Sequence, residues 1–214
     1  MPRKSLTLYR FRQSGHSHRV ELFLSLLGLP FEKVEVELGK GQHKTPEFLA
    51  RNPFGQVPVL VADGLVLADS NAILVYLASV YDQDRCWYPV DPSRATAVQC
   101  WLSVAAGPLL MGPGHARLVG IFNAKHDLAR AHATARQLFE VMDAHLRIEG
   151  GFFVGAKPTL ADVALYTYTA HAPEGHISLD PYPAIRSWLQ AVESLPGFVP
   201  MVRTEPRFGQ QEGM

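Results

Sequence analysis

The sequence is poor in cysteine: among 214 residues there are two, Cys86 and Cys100. They form no CxxC pair and no disulfide framework, so two buried or partly buried thiols in a reducing cytoplasm are expected. A charge bias is missing too. Lys plus Arg equals Asp plus Glu at 20 each, which leaves no basic field to hold a nucleic acid or an anionic membrane. The longest apolar runs are far too short to span a bilayer, so no membrane partner is expected. The start, "MPRKSLTLYRF", has charge without the apolar segment of a secretion signal, and a cytoplasmic location is expected. Repeats and low-complexity stretches are also missing. "HSH" at 16–18 offers two imidazoles but no third ligand at metal spacing, so no metal is expected.

What remains is an ordinary soluble composition, 47% hydrophobic and 19% charged, long enough for one large or two small domains. "LTLYRF" at 6–11 reads as a strand. A helix with Val20, Phe23, Leu24 and Leu27 on one face follows, stopped by Gly28 and Pro30. "EKVEVEL" alternates strictly and reads as a half-buried strand, so the three elements make a parallel crossover. A polar connection holds a short helix around residues 46–50. "VPVLV" and "LVLA" flank Asp63-Gly64, the pair that a tight antiparallel hairpin needs. Ser70 to Tyr81 then reads as a helix. This βαβ(α)ββα order is that of a thioredoxin-like domain. Beyond Tyr81 the composition changes: a polar, proline-marked linker leads to helices alone. Ser93 is the expected cap of the first. Residues 107–120 are expected to kink at Pro108 and Pro113, 127–149 to form one long amphipathic helix, and Thr159 with Asp162 to close a reciprocal N-cap. The expected fold is an α/β N-terminal thioredoxin-like domain plus an all-α C-terminal domain, with a first domain at 1–81, a linker at 82–92 and a helical domain at 93–214.

Pro58 is awkward at the head of an apolar run, because proline cannot serve a central ladder and belongs at a strand's first position. Read with its neighbours it fits a wider pattern. "SGHSHRVEL", "HKTPEFLARNPFGQVPVL", "ADSNAI" and "FFVGAKPTLADVALY", in that order, resemble the cytosolic glutathione S-transferases, in particular bacterial members with a serine-type loop. The likeness covers roughly 5–205.

The resemblance implies glutathione as co-substrate. It implies a cis Val57–Pro58 bond, with Val57 turned outward to pair with the backbone of the glutathione cysteine and Gln56 beside it. Asp69 and Ser70 would take the ammonium and carboxylate of the γ-glutamyl end, Asp69 standing where the family usually has Glu. His43 and Lys44 would reach the glycyl carboxylate. Ser14 aligns with the activating serine and Ser17 is the second hydroxyl. Lowering a thiol pKa by about two units takes about 2.7 kcal/mol of preferential thiolate stabilisation, which one or two donors at a helix N-terminus can supply. Phe11, Met111, His115 and Tyr166 are the candidates for a hydrophobic-substrate pocket. The implied activity is conjugation of the thiolate to a small hydrophobic electrophile, a detoxification chemistry, in a homodimer with Phe54 as candidate intersubunit anchor. The loop lacks cysteine, which weighs against disulfide exchange. It also departs from the Ser-Ser-Cys pattern of the isomerase-type class. A glutathione-dependent disulfide reductase or peroxidase on the same fold, and a non-enzymatic ligand-carrying or partner-docking protein, are the alternatives.

Overall fold

A computed structural model describes residues 5–208. They form two compact units. The first runs through Tyr88 and takes back Leu195–Val202, and the second comprises Pro89–Ser194 and resumes at Arg203.

The first unit is built on a four-stranded sheet in the order β2-β1-β3-β4. Strand β1 (Leu6–Arg10) leads into helix α1 (Gly15–Leu26) and then into β2 (Glu32–Glu35), which pairs parallel with β1. This is the crossover that the spacing predicts. β2 is shorter than its alternation suggests: Val36 lies beyond it, buried against Phe48 and Val59. Two short 3-10 turns, Leu38–Lys40 and Gln42–Lys44, lead to α2 (Pro46–Arg51), capped by Thr45 with Pro46 in its first turn. Strands β3 (Val59–Ala62) and β4 (Leu65–Ala68) make the hairpin. Asp63 and Gly64 carry φ of 50° and 86° between them, the left-handed pair that matches the strand twist. Helix α3 (Ser70–Tyr81) follows and buries Ile73, Leu74 and Leu77. The returning segment is held by this unit's own atoms. His18 Nε2 lies 2.8 Å from the carbonyl of Val199. Gly197 backs so closely onto Ser25 that a Cβ would sit 2.7 Å from its carbonyl oxygen.

The second unit is helical, with α4 (Pro92–Ala106), α5 (His115–Phe122), α6 (Leu128–Glu149), α7 (Leu160–Ala170) and α8 (Pro183–Glu193). One expectation is corrected here. Asp91 rather than Ser93 caps α4, its carboxylate accepting from the Arg94 N–H at 2.9 Å, because Pro92 takes the first helical position where no N–H is needed. The proline-marked stretch interrupts the α-helix as expected: α4 ends at Ala106, Gly107 has φ of −103° and ψ of −98°, and a π-turn, Leu110–Gly114, holds Pro113 before α5. Counted through this interruption, the run Pro92–Phe122 is 31 residues long and apolar enough, by length and composition alone, to cross a bilayer, which the short apolar runs of the sequence concealed. An apolar helix of this kind also serves as a core helix, and here it carries a buried Arg117 that pairs with Glu174 at 2.5 Å. The capping box of α7 is present as expected. The thiols are a second correction: Cys86 and Cys100 are both free and exposed, one after α3 and one within α4.

Candidate functional site

The sheet register gathers the candidate residues of the first unit. Tyr9 stands opposite Val59, and Val59 opposite Ala68. One step past this row, at the same end of the sheet, the chain runs from β1 into the loop of Phe11–Ser14, enters β3 through Val57–Pro58, and leaves β4 into Asp69–Ser70. Strands of fixed direction thus bring together three loops that are far apart in sequence.

The Val57–Pro58 bond is cis, and β3 begins at Val59, so the proline stands just ahead of the ladder. Among the described residues, neither the N–H nor the C=O of Val57 has a hydrogen-bond partner in the chain. The loop before it is tightly built. Buried Asn52 donates to the Gln56 carbonyl at 2.8 Å and accepts from the Phe54 N–H at 3.1 Å. Gly55 has φ of 60°, and a Cβ there would lie 2.8 Å from both the His43 carbonyl oxygen and Lys44 Nζ. Only glycine fits. Lys44 Nζ in turn donates to the carbonyls of Phe54 and Gly55 at 3.5 and 3.4 Å. His43 and Lys44 are therefore joined to the Gln56–Pro58 loop. Burial, then the Lys44 charge, lowers the His43 pKa, and its Nδ1 is buried without a partner.

Asp69 caps α3, accepting from the Ala72 N–H at 2.9 Å, and is held at φ of 71°. That uncommon backbone leaves the carboxylate exposed at the helix start. Ser70 is 3% exposed, and its hydroxyl accepts from buried Arg19 at 2.9 Å. Sequence reasoning missed Arg19, and Asn52 as well. Asn52 had a local signal, an Asx turn into "NPFG". Arg19 had none, since its partners lie on α3.

At the other helix, Ser14 is the N-cap of α1 with its hydroxyl oxygen accepting from the Ser17 N–H at 3.2 Å. Its own proton stays available, and the first N–H groups of α1 point the same way with no acceptor inside the helix. Ser17 departs from expectation. It is 1% exposed, and its hydroxyl accepts from the Phe11 N–H at 3.3 Å, bracing the loop from beneath. His16, in the first helical turn, is held neutral by burial and then by Arg19, its pKa lowered to about 3.

The four pocket candidates fare differently. Phe11 lines a small polar cavity of about 330 Å³ with Arg10, Arg12, Glu35 and Glu37. In the helical unit, Met111 is 55% exposed. His115 stacks on His126 with ring centres 3.8 Å apart, and burial, then His126, lowers its pKa. Tyr166 is buried in α7 and its hydroxyl donates to Glu193 at 2.9 Å, with burial and that carboxylate holding the phenol well above its usual range. Tyr166 is a packed core residue. The helical unit also has an apolar-walled cavity of about 820 Å³, lined by Ala97, Cys100, Trp101, Val104, Phe153 and Val154 among others.

A small mixed sheet carrying three loops at one end, joined to an all-helical unit, defines the thioredoxin-like two-domain class. Comparison narrows it. Residues 4–79 match the N-terminal domain of glutathione S-transferase and residues 104–196 its C-terminal domain. The chain is 34% identical to glutathione S-transferase 3 of Zea mays, over 94% of this chain and 95% of that one. It is 31% identical to maleylacetoacetate isomerase of Rattus norvegicus, over 89% of each. A crystal structure of glutathione S-transferase from Pseudomonas fluorescens superposes with a TM-score of 0.86 at 33% identity, covering 92% of this chain and 98% of that one. The chain belongs to the glutathione S-transferase family.

Proposed function

We propose that the protein is a glutathione transferase that conjugates the glutathione thiolate to small hydrophobic electrophiles. One observation carries the reading: the open N–H and C=O of Val57 stand at the same sheet end as the capped N-termini of α1 and α3. An unpaired backbone edge beside two helix N-termini suits an extended peptide with charged ends and a central thiol. In this reading Val57 pairs with the cysteinyl backbone, with Gln56 at hand. Asp69 takes the γ-glutamyl ammonium, Ser70 its carboxylate, and His43 and Lys44 the glycyl carboxylate. Ser14 donates its hydroxyl hydrogen to the sulfur, holding the thiolate after the thiol proton has passed to solvent. The sulfur lone pair then forms a bond to an electrophilic carbon, and the leaving group departs with its electron pair. Met111 and His115 are candidates to meet the electrophile. Conjugation of an aromatic chloride, with calorimetric titration of glutathione alongside, tests the reading. Saturable conjugation is expected, and no binding at millimolar glutathione overturns it.

The isomerase relative supports a second reading, in which the same thiolate adds reversibly to a cis double bond. Turnover of a maleyl-type substrate, with the aromatic chloride inert, would select it. Reduction of a mixed disulfide is the third assay. The absence of cysteine from 11–17 weighs against it.

The reading includes a homodimer with Phe54 as its anchor. Phe54 is 77% exposed although its N–H is fixed by Asn52, and the edge strand β4 leaves Leu65 and Val66 exposed beside it in sequence order. The apolar cavity of the helical unit is large enough to receive an aromatic ring from a second copy. Phe54→Ala is expected to weaken self-association at least tenfold by sedimentation, and an unchanged dimer removes Phe54 from that role. The two exposed free thiols support a reducing, cytoplasmic setting.

A further inference from the structure

The turn that presents Ser14 carries a charged side chain that the fold does not use. The Ser14 N–H donates to the Phe11 carbonyl at 2.9 Å, so residues 11–14 make a tight turn with Arg12 and Gln13 at its corners. The turn is braced from both sides. Ser17 Oγ accepts from the Phe11 N–H at 3.3 Å, and Glu35 Oε1 accepts from the Arg12 N–H at 2.7 Å. The Arg12 backbone is therefore fixed while its side chain is exposed. Among the described residues its guanidinium has no hydrogen-bond or ion-pair partner.

Arg12 lines a cavity of about 330 Å³ with Arg10, Phe11, Glu35 and Glu37, all in the first unit. Arg10 and Glu35 are already committed. Arg10 Nε donates to Glu35 Oε2 at 3.1 Å, and Arg10 also pairs with Glu21, which holds Lys33 at 2.9 Å. Two cations against two carboxylates leave that set neutral. Glu37 is open like Arg12. Its N–H donates to Gln42 Oε1 at 2.9 Å, and its carbonyl accepts from the Lys40 and Gln42 N–H groups at 3.0 and 3.4 Å. Its backbone is pinned, yet its exposed carboxylate has no partner among the described residues. An uncommitted cation and an uncommitted anion thus line one cavity from fixed backbones.

A guanidinium offers a planar set of donors that fits a carboxylate, and a carboxylate accepts from an ammonium. A ligand group with only one of these charges meets a like charge on the other side of the cavity. A group with both charges answers both walls, and the α-amino acid head is such a group. The volume lies at the small end of the range for ligand sites.

We propose that this cavity is a subsite for the electrophile, taking an α-amino acid group with its carboxylate on Arg12 and its ammonium on Glu37. The inference rests on the conjugation reading above and names the polar group that the second substrate carries. Because Arg12 shares its turn with Ser14, a substrate gripped there has one end anchored next to the hydroxyl that holds the sulfur in that reading.

The test uses four aromatic chlorides with the same reacting carbon: chlorodinitrophenylalanine, its N-acetyl derivative without the ammonium, its methyl ester without the carboxylate, and chlorodinitrotoluene with neither. In each, the sulfur bonds to the ring carbon and chloride leaves. The readout is kcat/KM at saturating glutathione, divided by the uncatalysed rate. For the wild type it is expected to be about tenfold higher for chlorodinitrophenylalanine than for chlorodinitrotoluene. Arg12→Gln should lower it about fivefold for the two carboxylate-bearing chlorides, and Glu37→Gln for the two ammonium-bearing ones, through KM, with chlorodinitrotoluene unchanged in both. Both side chains are exposed, so both variants should fold. Equal values for the four chlorides in the wild type overturn the proposal, since Arg12 and Glu37 are then merely solvated. So does a loss that is uniform across the four in either variant. Ligand-observed NMR titration of the full-length protein with phenylalanine, N-acetylphenylalanine and phenylalanine amide reads the subsite without turnover. Phenylalanine binding no tighter than that of the two derivatives, or unchanged in both variants, overturns the proposal as well. If none of the chlorides reacts, the conjugation reading falls, and the titration alone decides whether the cavity takes an amino acid group.

Discussion

Three helix starts, one in the helical unit and two in the sheet unit, use the same residue types for opposite ends. At α7 the Thr159–Asp162 pair is closed. Asp162 is 1% exposed, and its Oδ1 accepts from the Phe153 N–H at 3.0 Å and from Trp188 Nε1 at 2.9 Å. Its Oδ2 takes the Thr159 N–H at 2.8 Å and the Thr159 hydroxyl at 3.2 Å. Every lone-pair direction is used inside the protein. At α1 and α3, Ser14 and Asp69 each cap with one interaction and keep the rest open. Capping alone therefore does not mark a site, since Ser, Thr and Asp are favoured caps everywhere. What separates a structural cap from a binding one is the hydrogen-bonding capacity left over, together with its position at the rim of the sheet. The comparison makes a clear demand: the closed cap should govern stability and the open caps affinity and chemistry.

The largest effect is expected at the closed cap. Asp162→Ala removes one carboxylate but strands four donors, at least three of them deep in the helical unit. A loss of about 3–5 kcal/mol in unfolding free energy is expected, several times the worth of a single cap. Urea unfolding measures it, and the folded fraction should still bind glutathione with wild-type affinity. A loss below about 1 kcal/mol would mean that Asp162 is only a cap, and the contrast with Ser14 would collapse.

Ser14→Ala should show the reverse. Removing this cap is expected to cost about 1 kcal/mol of stability. Removing a donor to the sulfur should raise the bound thiol pKa by about one to two units, or about 1.4–2.7 kcal/mol, and lower kcat/KM at neutral pH by about 10- to 100-fold. The ultraviolet absorbance of bound thiolate against pH measures the first and initial rates the second. If both stay at wild-type values, the sulfur is held by the first N–H groups of α1 instead.

His16 offers a test by pH. Its pKa is lowered to about 3 in the folded protein, by burial and then by Arg19, against about 6.5 for an unfolded histidine. Above pH 6.5 the ring is neutral in both states and contributes no slope. Below it the unfolded chain takes up a proton that the folded one refuses, so stability falls as pH falls, by about 1.4 kcal/mol per unit, until the folded pKa is reached. Between pH 6.5 and 5 this amounts to about 2 kcal/mol at most. Urea curves at pH 7 and 5 for wild type and His16→Asn should differ in their pH slope by that order. Identical slopes would mean that His16 titrates like an exposed histidine and is not buried beside Arg19.

The elements that were legible beforehand are those whose signal is local. Asp63-Gly64 declared its turn, Pro58 its place ahead of a strand, and Thr159 with Asp162 their cap, because each depends on residues a few positions apart. The family pattern added the cis bond and the open face of Val57. The parts that could not be read depend on distant partners. Arg19 meets Ser70 across two helices. Ser17 is turned inward by the Phe11 N–H rather than outward by any rule of sequence. Tyr166 is a pocket candidate in the sequence, yet Glu193 on α8 claims its hydroxyl. Leu195–Val202 follows the last helix and reads as its tail. It belongs to the first unit because Gly197 lets it lie against Ser25.

The smallest expected effect comes from a third kind of cap, one exposed to solvent with a single capping bond. Asp91 accepts from the Arg94 N–H at the surface of α4, two residues ahead of the Ser93 that the sequence suggested. Asp91→Ala is expected to cost about 1 kcal/mol, since the cap bond and the carboxylate's interaction with the helix dipole are both lost to solvent-exposed N–H groups that water can partly satisfy. Ser93→Ala should change stability by no more than about 0.5 kcal/mol, because a residue inside the first turn makes no capping bond and alanine suits a helix better than serine. Thermal or urea unfolding of the two variants side by side resolves the pair. If Ser93→Ala proved the costlier, the start of α4 would lie after Pro92 rather than at it. An exposed cap would then have been misplaced by the rule that proline occupies the first helical position.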